Sequence, residues 1–271
     1  MLDADLIYRA LSETSRSGLD SFDVLDVVPS TNTWLMQQDT HERGRFRVVL
    51  AEHQTNGRGR QNKRWVSPPR AGISLSIAYT FNRNPGNLSC VTLAAGVGVA
   101  NALQSFGLNT VKLKWPNDIY VGGAKLGGIL TDAQTAPGSR ITMILGVGIN
   151  VDIGTVSNTD EYANIDYTIT DLQSHVMQQL NRSKVAGTVI DQLISTVLRF
   201  EEEGLAPFRA DWNKYDWLRS KQIDVTMPDC QLSGAADGID SNGALRVMTE
   251  HGLRRVYTGS ITVRGARETE A

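Results

Sequence analysis

The chain changes its pattern once, after Ser220. Before that point apolar strands are interleaved with helical stretches. After it come only short strands, separated at regular spacing by turn residues. The two halves bury their apolar faces in different ways, so the pattern asks for two folding units. The predicted strands of the second unit are 223–227, 231–239, 244–249, 253–257 and 260–263. Together they make a small β-barrel of about 50 residues. The expected division is 1–219 and 220–271.

The first unit reads as a mixture of helices and strands. A short helix is expected over 3–14 and a strand over 24–28. Ser30-Thr31-Asn32 ahead of Trp34 and Leu35 is a helix-opening cap. Strands are expected at 48–52 and at 73–80, where Ile73, Leu75, Ile77 and Tyr79 alternate. Between them, 53–70 is polar, basic and rich in Gly, Asn and Pro, which predicts a long functional loop. A buried helix is predicted over 88–106, with Gly96 and Gly98 permitting close packing. Strands at 111–115, 118–121 and 125–131 follow, the last two joined by a Gly122-Gly123 turn. A strongly apolar strand spans 141–151. Residues 152–170 are irregular, one or two helices fill 171–203, and another fills 206–217.

The formal net charge is -2, but it is unevenly spread. From His53 to Asn117 no acid occurs, while Arg58, Arg60, Lys63, Arg64, Arg70, Arg83, Lys112 and Lys114 do. A near-neutral protein with one basic block holds an anion there. Arg83 and Lys112 are expected to be solvated. Cys90 and Cys230 form no Cys-x-x-Cys, and His41, His53, His175 and His251 are scattered. A disulfide framework, a cysteine-rich zinc site and a histidine metal cage are therefore excluded. The opening residues lack the basic-then-apolar order of a signal peptide, and no apolar run reaches about 18 residues. A cytoplasmic location without a membrane partner is the expectation.

Four segments carry chemistry. In Gln54-Thr55-Asn56-Gly57-Arg58-Gly59-Arg60, followed by Trp65, bare backbone N–H groups and guanidinium forks can converge on one anion. The bland alternative is a solvated basic turn. In Lys114-Trp115-Pro116-Asn117-Asp118 a fixed turn presents an amide and the first acid after the basic block. Lys125 then opens Lys125-Leu126-Gly127-Gly128-Ile129, where paired glycines in a strand mark close approach by a ligand or a backbone. Gly146-Val147-Gly148-Ile149-Asn150 lacks the third glycine of a dinucleotide fingerprint and by itself reads as a tightly packed strand, with Asn150 free to bond an adenine or ribose edge. Ser30-Thr31-Asn32 is a cap that also presents hydroxyls at a helix start.

Taken in order, these segments resemble the biotin protein ligases. Val28-Pro29-Ser30-Thr31-Asn32, Gly57-Arg58-Gly59-Arg60 with Trp65, Lys114 to Asp118, Lys125 to Leu130 and Gly146 to Val151 carry the resemblance. Gly234, Gly238-Ile239-Asp240 and Gly243-Ala244-Leu245 extend it into the second unit. The resemblance covers residues 22 to 264. It implies an α/β (α+β) fold: a mixed β-sheet backed by helices, like the catalytic domain of class II aminoacyl-tRNA synthetases, followed by a small Src-homology-3-like barrel.

The resemblance also implies a reaction. Biotin is activated by ATP to biotinyl-5'-AMP and passed to a lysine of the biotin carboxyl carrier protein of acetyl-CoA carboxylase. Carried over residue by residue, Lys125, Arg58 and Arg60 are catalytic. Ser30, Thr31, Asn32, Gln54, Gly57, Arg58, Gly59, Arg60, Lys125 and Gly128 bind biotin. Arg58, Arg60, Trp65, Asn117, Asp118, Lys125 and Asn150 bind ATP or the adenylate. No protein metal cage is implied, and Asp118 is the one candidate ligand for Mg2+. Homodimers through sheet extension occur in the family. Gln61-Asn62-Lys63-Arg64 lacks a glycine often found there, and 152–170 follows the adenine-covering region only loosely. About 20 residues precede the pattern, too few for the helix-turn-helix of the repressor members, so no DNA partner is expected. Two other readings stand beside this one. A lipoate or octanoate ligase on a related fold calls for an Arg-Arg-x-Ser-Gly-Gly signature that is not found. A nucleic-acid-binding module calls for interleaved aromatics, and the loop from Arg58 to Arg70 holds only Trp65.

Overall fold

The computed structural model describes residues 1–38, 42–66, 68–82, 85–136, 140–154 and 167–264. The alternating stretch around Leu75 is the middle of a sheet. Among the described residues seven strands join it: β1 (Leu19–Val28), β2 (Phe46–Gln54), β3 (Gly72–Thr80), β4 (Lys112–Lys114), β5 (Asp118–Val121), β6 (Ala124–Ala136) and β7 (Arg140–Asn150). Their order is β1-β2-β3-β7-β6-β5-β4. Only β1 and β2 run parallel; the other neighbours are antiparallel, which makes the sheet mixed.

Several strands outrun their predicted spans. β1 starts at Leu19 and β6 continues to Ala136. The second half of β6 is polar, but β7 pairs with it from Gly127↔Ile149 to Ala136↔Arg140. The partner's backbone supplies the hydrogen bonds, so weak local propensity is overridden. The Gly122-Gly123 turn forms as expected, with φ of 60° and 88°.

One face of the sheet is covered by helices α4 (Val91–Gln104) and α5 (Arg182–Glu203), with α6 (Arg209–Tyr215) beside α4. Leu50, Leu75, Ile77, Leu145 and Ile149 point into this core and are almost fully buried. Each such side chain contributes about 1.5–3 kcal/mol by leaving water. At Gly98 a Cβ would lie 2.4 Å from Thr196 Oγ1, so this glycine sets how closely α4 and α5 approach. The region 171–203 becomes a short 3-10 turn, Gln173–His175, and the single long α5, whose start is capped by Asn181.

The expected helix over 3–14 is two helices instead, α1 (Ala4–Arg9) and α2 (Glu13–Ser17). Ser12 causes the break, because its side chain accepts from Ser15 N and opens a new helix. Asp191 of α5 holds the corner, accepting from Ser12 N at 2.8 Å and Ser15 Oγ at 2.6 Å.

On the opposite face the one helix among the described residues is α3 (Thr31–Met36), whose Leu35 packs on Val49, Ala78 and Ile144. The candidate site lies on this face.

The C-terminal strands are β8 (Gln222–Thr226), β9 (Gln231–Ile239), β10 (Leu245–Thr249), β11 (Gly252–Val256) and β12 (Ser260–Val263). They form an antiparallel sheet in the order β11-β10-β9-β8-β12, each strand within a residue or two of its predicted span. Their core side chains, among them Ile223, Val225, Leu245 and Val247, join the main core. Trp115 Nε1 donates to Gly243 O at 3.0 Å, tying the Trp-Pro turn to this sheet. At Gly243 φ is 75° and a Cβ would lie 2.8 Å from Leu93 Cδ1, so the contact needs glycine.

Candidate active site

The site is built from rows that cross the sheet. Cross-strand partners share a face. Ser74 pairs with Gly148, Gly148 with Gly128, and Gly128 with Asp118. The next row is Ser76, Gly146 and Leu130, and the next Ala78, Ile144 and Asp132. The first of these rows is small and polar, and Ser76 and Gly146 continue that character toward α3.

Ser30 caps α3, its Oγ accepting from Thr33 N at 3.4 Å. Gln54 Oε1 accepts from Thr31 N at 2.8 Å and lies 3.1 Å from Thr31 Oγ1, and Gln54 Nε2 reaches Ser74 Oγ at 3.3 Å. Ser76 Oγ lies 2.7 Å from Thr31 Oγ1 and 2.6 Å from Asn32 Oδ1. These groups are buried, and buried polar groups persist because they have partners. The glycines of β7 make the room. A Cβ at Gly146 would lie 2.2 Å from Asn32 Oδ1, and one at Gly148 would lie 2.4 Å from Trp65 Cε2. The Gly-Val-Gly segment therefore admits an amide and an indole to the sheet surface.

The basic loop is folded tightly. Trp65 N donates to Gly57 O at 2.9 Å, Gly59 N to Lys63 O at 2.7 Å and Lys63 N to Arg60 O at 3.0 Å. Residues 60–62 form one 3-10 turn, with Gln61 at φ 54° and ψ 37°. Where the sequence lacks a glycine, a glutamine takes the left-handed conformation, at a cost of about 1–2 kcal/mol. Arg58 forks onto Asp132, at 3.2 Å from Nη1 to Oδ2 and 3.3 Å from Nη2 to Oδ1. Arg60 Nη1 donates to Asn117 Oδ1 at 3.3 Å, and Asn117 Nδ2 donates to Ile129 O at 2.8 Å. Burial holds the Arg60 guanidinium below the usual arginine range, and Asp118 opposes that shift.

Lys125 comes from the hairpin after the Gly-Gly turn. Its Nζ is 2.7 Å from Asp118 Oδ1 and 5.0 Å from the centre of the Tyr167 ring. Lys114 Nζ lies 5.2 Å above the Tyr120 ring and 5.5 Å from that of Trp217. Burial lowers the Lys114 pKa, against the pull of Asp118. Burial and Asp118 raise that of Tyr120. Asp118, which ends the acid-free block, is thus a shared counter-ion for three cations.

These groups surround one cavity of about 500 Å3. Ser30, Thr31, Asn32, Gln54, Arg58, Gly59, Arg60, Trp65, Asn117, Asp118, Lys125 and Gly128 all line it. Two of the sequence-derived residues stand off its wall. Gly57 is behind the loop, where a Cβ would lie 2.4 Å from Trp65 O. Asn150 turns its amide to Thr170 O at 3.0 Å and borders a small crevice beside Trp65. Of the basic block, Lys63, Arg64 and Lys114 join Arg58 and Arg60 on the wall. Lys112 donates to Lys214 O at 3.1 Å, and Arg83 lies outside the described residues.

Sequence reasoning passed over Ser74 and Ser76, although they are the polar phase of the alternation it used. It also passed over Tyr120, Trp217 and strand β12, which complete the wall from a distance in the chain, and it gave Lys114 a place in a motif but no role. Asp132 gave no local signal. Among the described residues no three His, Cys, Asp or Glu side chains come together to hold a metal. No helix among them is long and apolar enough to cross a membrane.

Comparison with known proteins agrees with the geometry. Residues 24–150 match the Biotin/lipoate A/B protein ligase family, and 221–264 match the Biotin protein ligase C terminal domain. The chain is 31% identical over 266 residues to the bifunctional ligase/repressor BirA of Salmonella typhimurium, covering 98% of this chain and 79% of that one. It is 29% identical over 259 residues to the biotin--[acetyl-CoA-carboxylase] ligase of Mycobacterium tuberculosis, covering 90% and 92%. A solved biotin protein ligase of Aquifex aeolicus, in complex with biotin and ATP, shares the fold with a TM-score of 0.74. That alignment covers 91% of this chain and 99% of the other at 24% identity.

Proposed function

The chain belongs to the biotin protein ligase family, and on that premise we propose that it activates biotin with ATP and transfers it to a lysine of a biotin carboxyl carrier protein. The observation that carries this reading is one cavity of about 500 Å3 shared by three cations, Arg58, Arg60 and Lys125, and a buried hydroxyl–amide cluster. That volume is in the range of small-ligand sites, roughly 300–1,000 Å3.

Two anions meet in the first step. A carboxylate oxygen of biotin attacks the α-phosphorus of ATP, forming the mixed anhydride and releasing pyrophosphate. Fixed positive charge offsets their repulsion and the charge that develops at phosphorus. Lys125 holds the carboxylate and faces the α-phosphate, and Arg58, Gly59 and Arg60 clamp both anions. Ser30, Thr31, Asn32 and Gln54 line the ureido end, and Gly128 leaves the floor free for the ligand. Trp65, Asn117 and Asp118 stand on the nucleotide side, with Asn150 holding the segment after residue 166 behind them. Gly57 supports the loop rather than the ligand. In the second step the carrier lysine amine attacks the anhydride carbonyl and AMP leaves. The loop excludes water from the labile adenylate meanwhile.

Asp118, the one carboxylate on the cavity wall among the described residues, would meet the Mg2+ that accompanies ATP, and the ion would neutralise phosphate charge. The same proposal makes 1–219 the catalytic domain and 220–271 the C-terminal small β-barrel domain, a division that the two family matches support. It places the protein in the cytoplasm, allows a homodimer through the open edge of the sheet, and assigns the basic block to ligand and not to DNA. The test is biotin-dependent release of pyrophosphate from ATP and labelling of a carrier domain on its lysine. A folded sample that does neither, or that takes lipoate in place of biotin, overturns the reading.

A further inference from the structure

Asp132 is absent from the cavity wall, yet two wall residues depend on it. Its Oδ2 accepts from Asn32 Nδ2 at 2.8 Å, and both its oxygens meet the Arg58 fork. We propose that Asp132 is a positioning residue of the ligand pocket, which fixes the orientation of the buried Asn32 amide and thereby what Asn32 offers to the ligand. The proposal rests on the biotin-ligase reading above.

An amide is nearly the same shape when flipped, but one side accepts and the other donates. Only its neighbours decide which side faces where. An ionised carboxylate accepts only, so Asp132 demands the NH2 side. Leu130 O, 3.4 Å from the same nitrogen, agrees with it. Ser76 Oγ then faces Asn32 Oδ1 from the other side. With Nδ2 held by two acceptors, Asn32 keeps an acceptor oxygen for the N–H of a cyclic urea. The amide has no room to find another pose, since Gly146 already yields its side-chain space to it. Arg58 balances the Asp132 charge from the outer side, with side-chain exposures of 40% and 19%. Asp132 also sits in register for this role, two residues beyond Leu130 on the same face of β6.

The test is a double-mutant cycle read by calorimetric titration of the full chain with biotin. Asp132→Ala is expected to weaken biotin binding about tenfold. In an Asn32→Ala background the same change is expected to alter Kd less than about twofold, because nothing remains to orient. Asp132→Asn keeps a carbonyl for Asn32 and is expected to recover most of the affinity. Asp132→Val, which suits a strand and offers no acceptor, is read in the same cycle should Asp132→Ala fail to fold. Wild-type affinity in Asp132→Ala and Asp132→Val, or an equal tenfold loss without Asn32, overturns the proposal and leaves the ligase reading standing. Absence of biotin binding by the unaltered chain removes the ligase reading itself.

Discussion

The two faces of the central sheet are made from the same strands and obey different rules. On the helix side, Leu75, Ile77, Leu145 and Ile149 meet α4 and α5 through many interchangeable apolar contacts. On the α3 side, Ser74, Ser76, Gly146, Gly148 and Asp132 meet a few polar groups, each with one or two named partners. Packing is non-directional and roughly proportional to area. Hydrogen bonds are directional, and leaving one unmade is costly. Beyond the small Leu35 cluster, one face is therefore held by area and the other by directional contacts.

The sharpest way to break this contrast is a core deletion. Leu145→Ala, on a fully buried side chain, is expected to destabilise the protein by about 2–5 kcal/mol. Denaturant melts check this, and biotin affinity of the folded protein is expected to stay near wild type. The converse is Lys125→Ala. It is expected to slow adenylation by about 10²–10³-fold, as loss of a preorganised charge does. The melting point should move little, because Lys125 stands on the cavity wall and not in the core. Wild-type adenylation in that variant removes Lys125 from the mechanism.

The smallest effect is a pH dependence on the helix side, where one charged pair interrupts the rule. Arg182 Nη2 lies 2.6 Å from Glu52 Oε2, and Leu2 N donates to the same carboxylate. Burial pushes the Glu52 pKa up, but the Arg182 and Leu2 bonds outweigh it and the net shift is downward. A depressed carboxylate stabilises the fold above its unfolded pKa of 4.5, and that stability is lost as pH falls through the folded value. Glu52→Gln is expected to cost about 1 kcal/mol at neutral pH. The gap between its melting point and that of the wild type should close in acid.

Much of this was legible in the residues. Ile73 to Tyr79 declared a strand by alternation, Ser30 declared a cap, and Gly122-Gly123 declared a turn. Arg58-Gly59-Arg60, Trp65 and Lys125 were selected by motif, and they meet in one cavity, while Gly57 of the same motif stands behind the loop. The helical break at Ser12 was missed because a cap inside an apolar pattern weighs little against the pattern. Asp132 was missed for a different reason. Its partners, Asn32 and Arg58, are 100 and 74 residues away, and nothing beside it in the chain marks it.

Local chemistry thus determined the elements, the turns, the sign of the charge and the identity of the cavity-lining motifs. Each of these depends on φ, ψ and side chains within a few residues. Tertiary structure decided which rows cross the sheet, why Gly146 and Gly148 are bare, and that Asn150 turns to Thr170 and off the cavity wall. A period of two tells a strand which side of each residue is buried. It does not tell the strand what lies next to it, since pairing and register are settled by partners brought together only when the whole sheet forms.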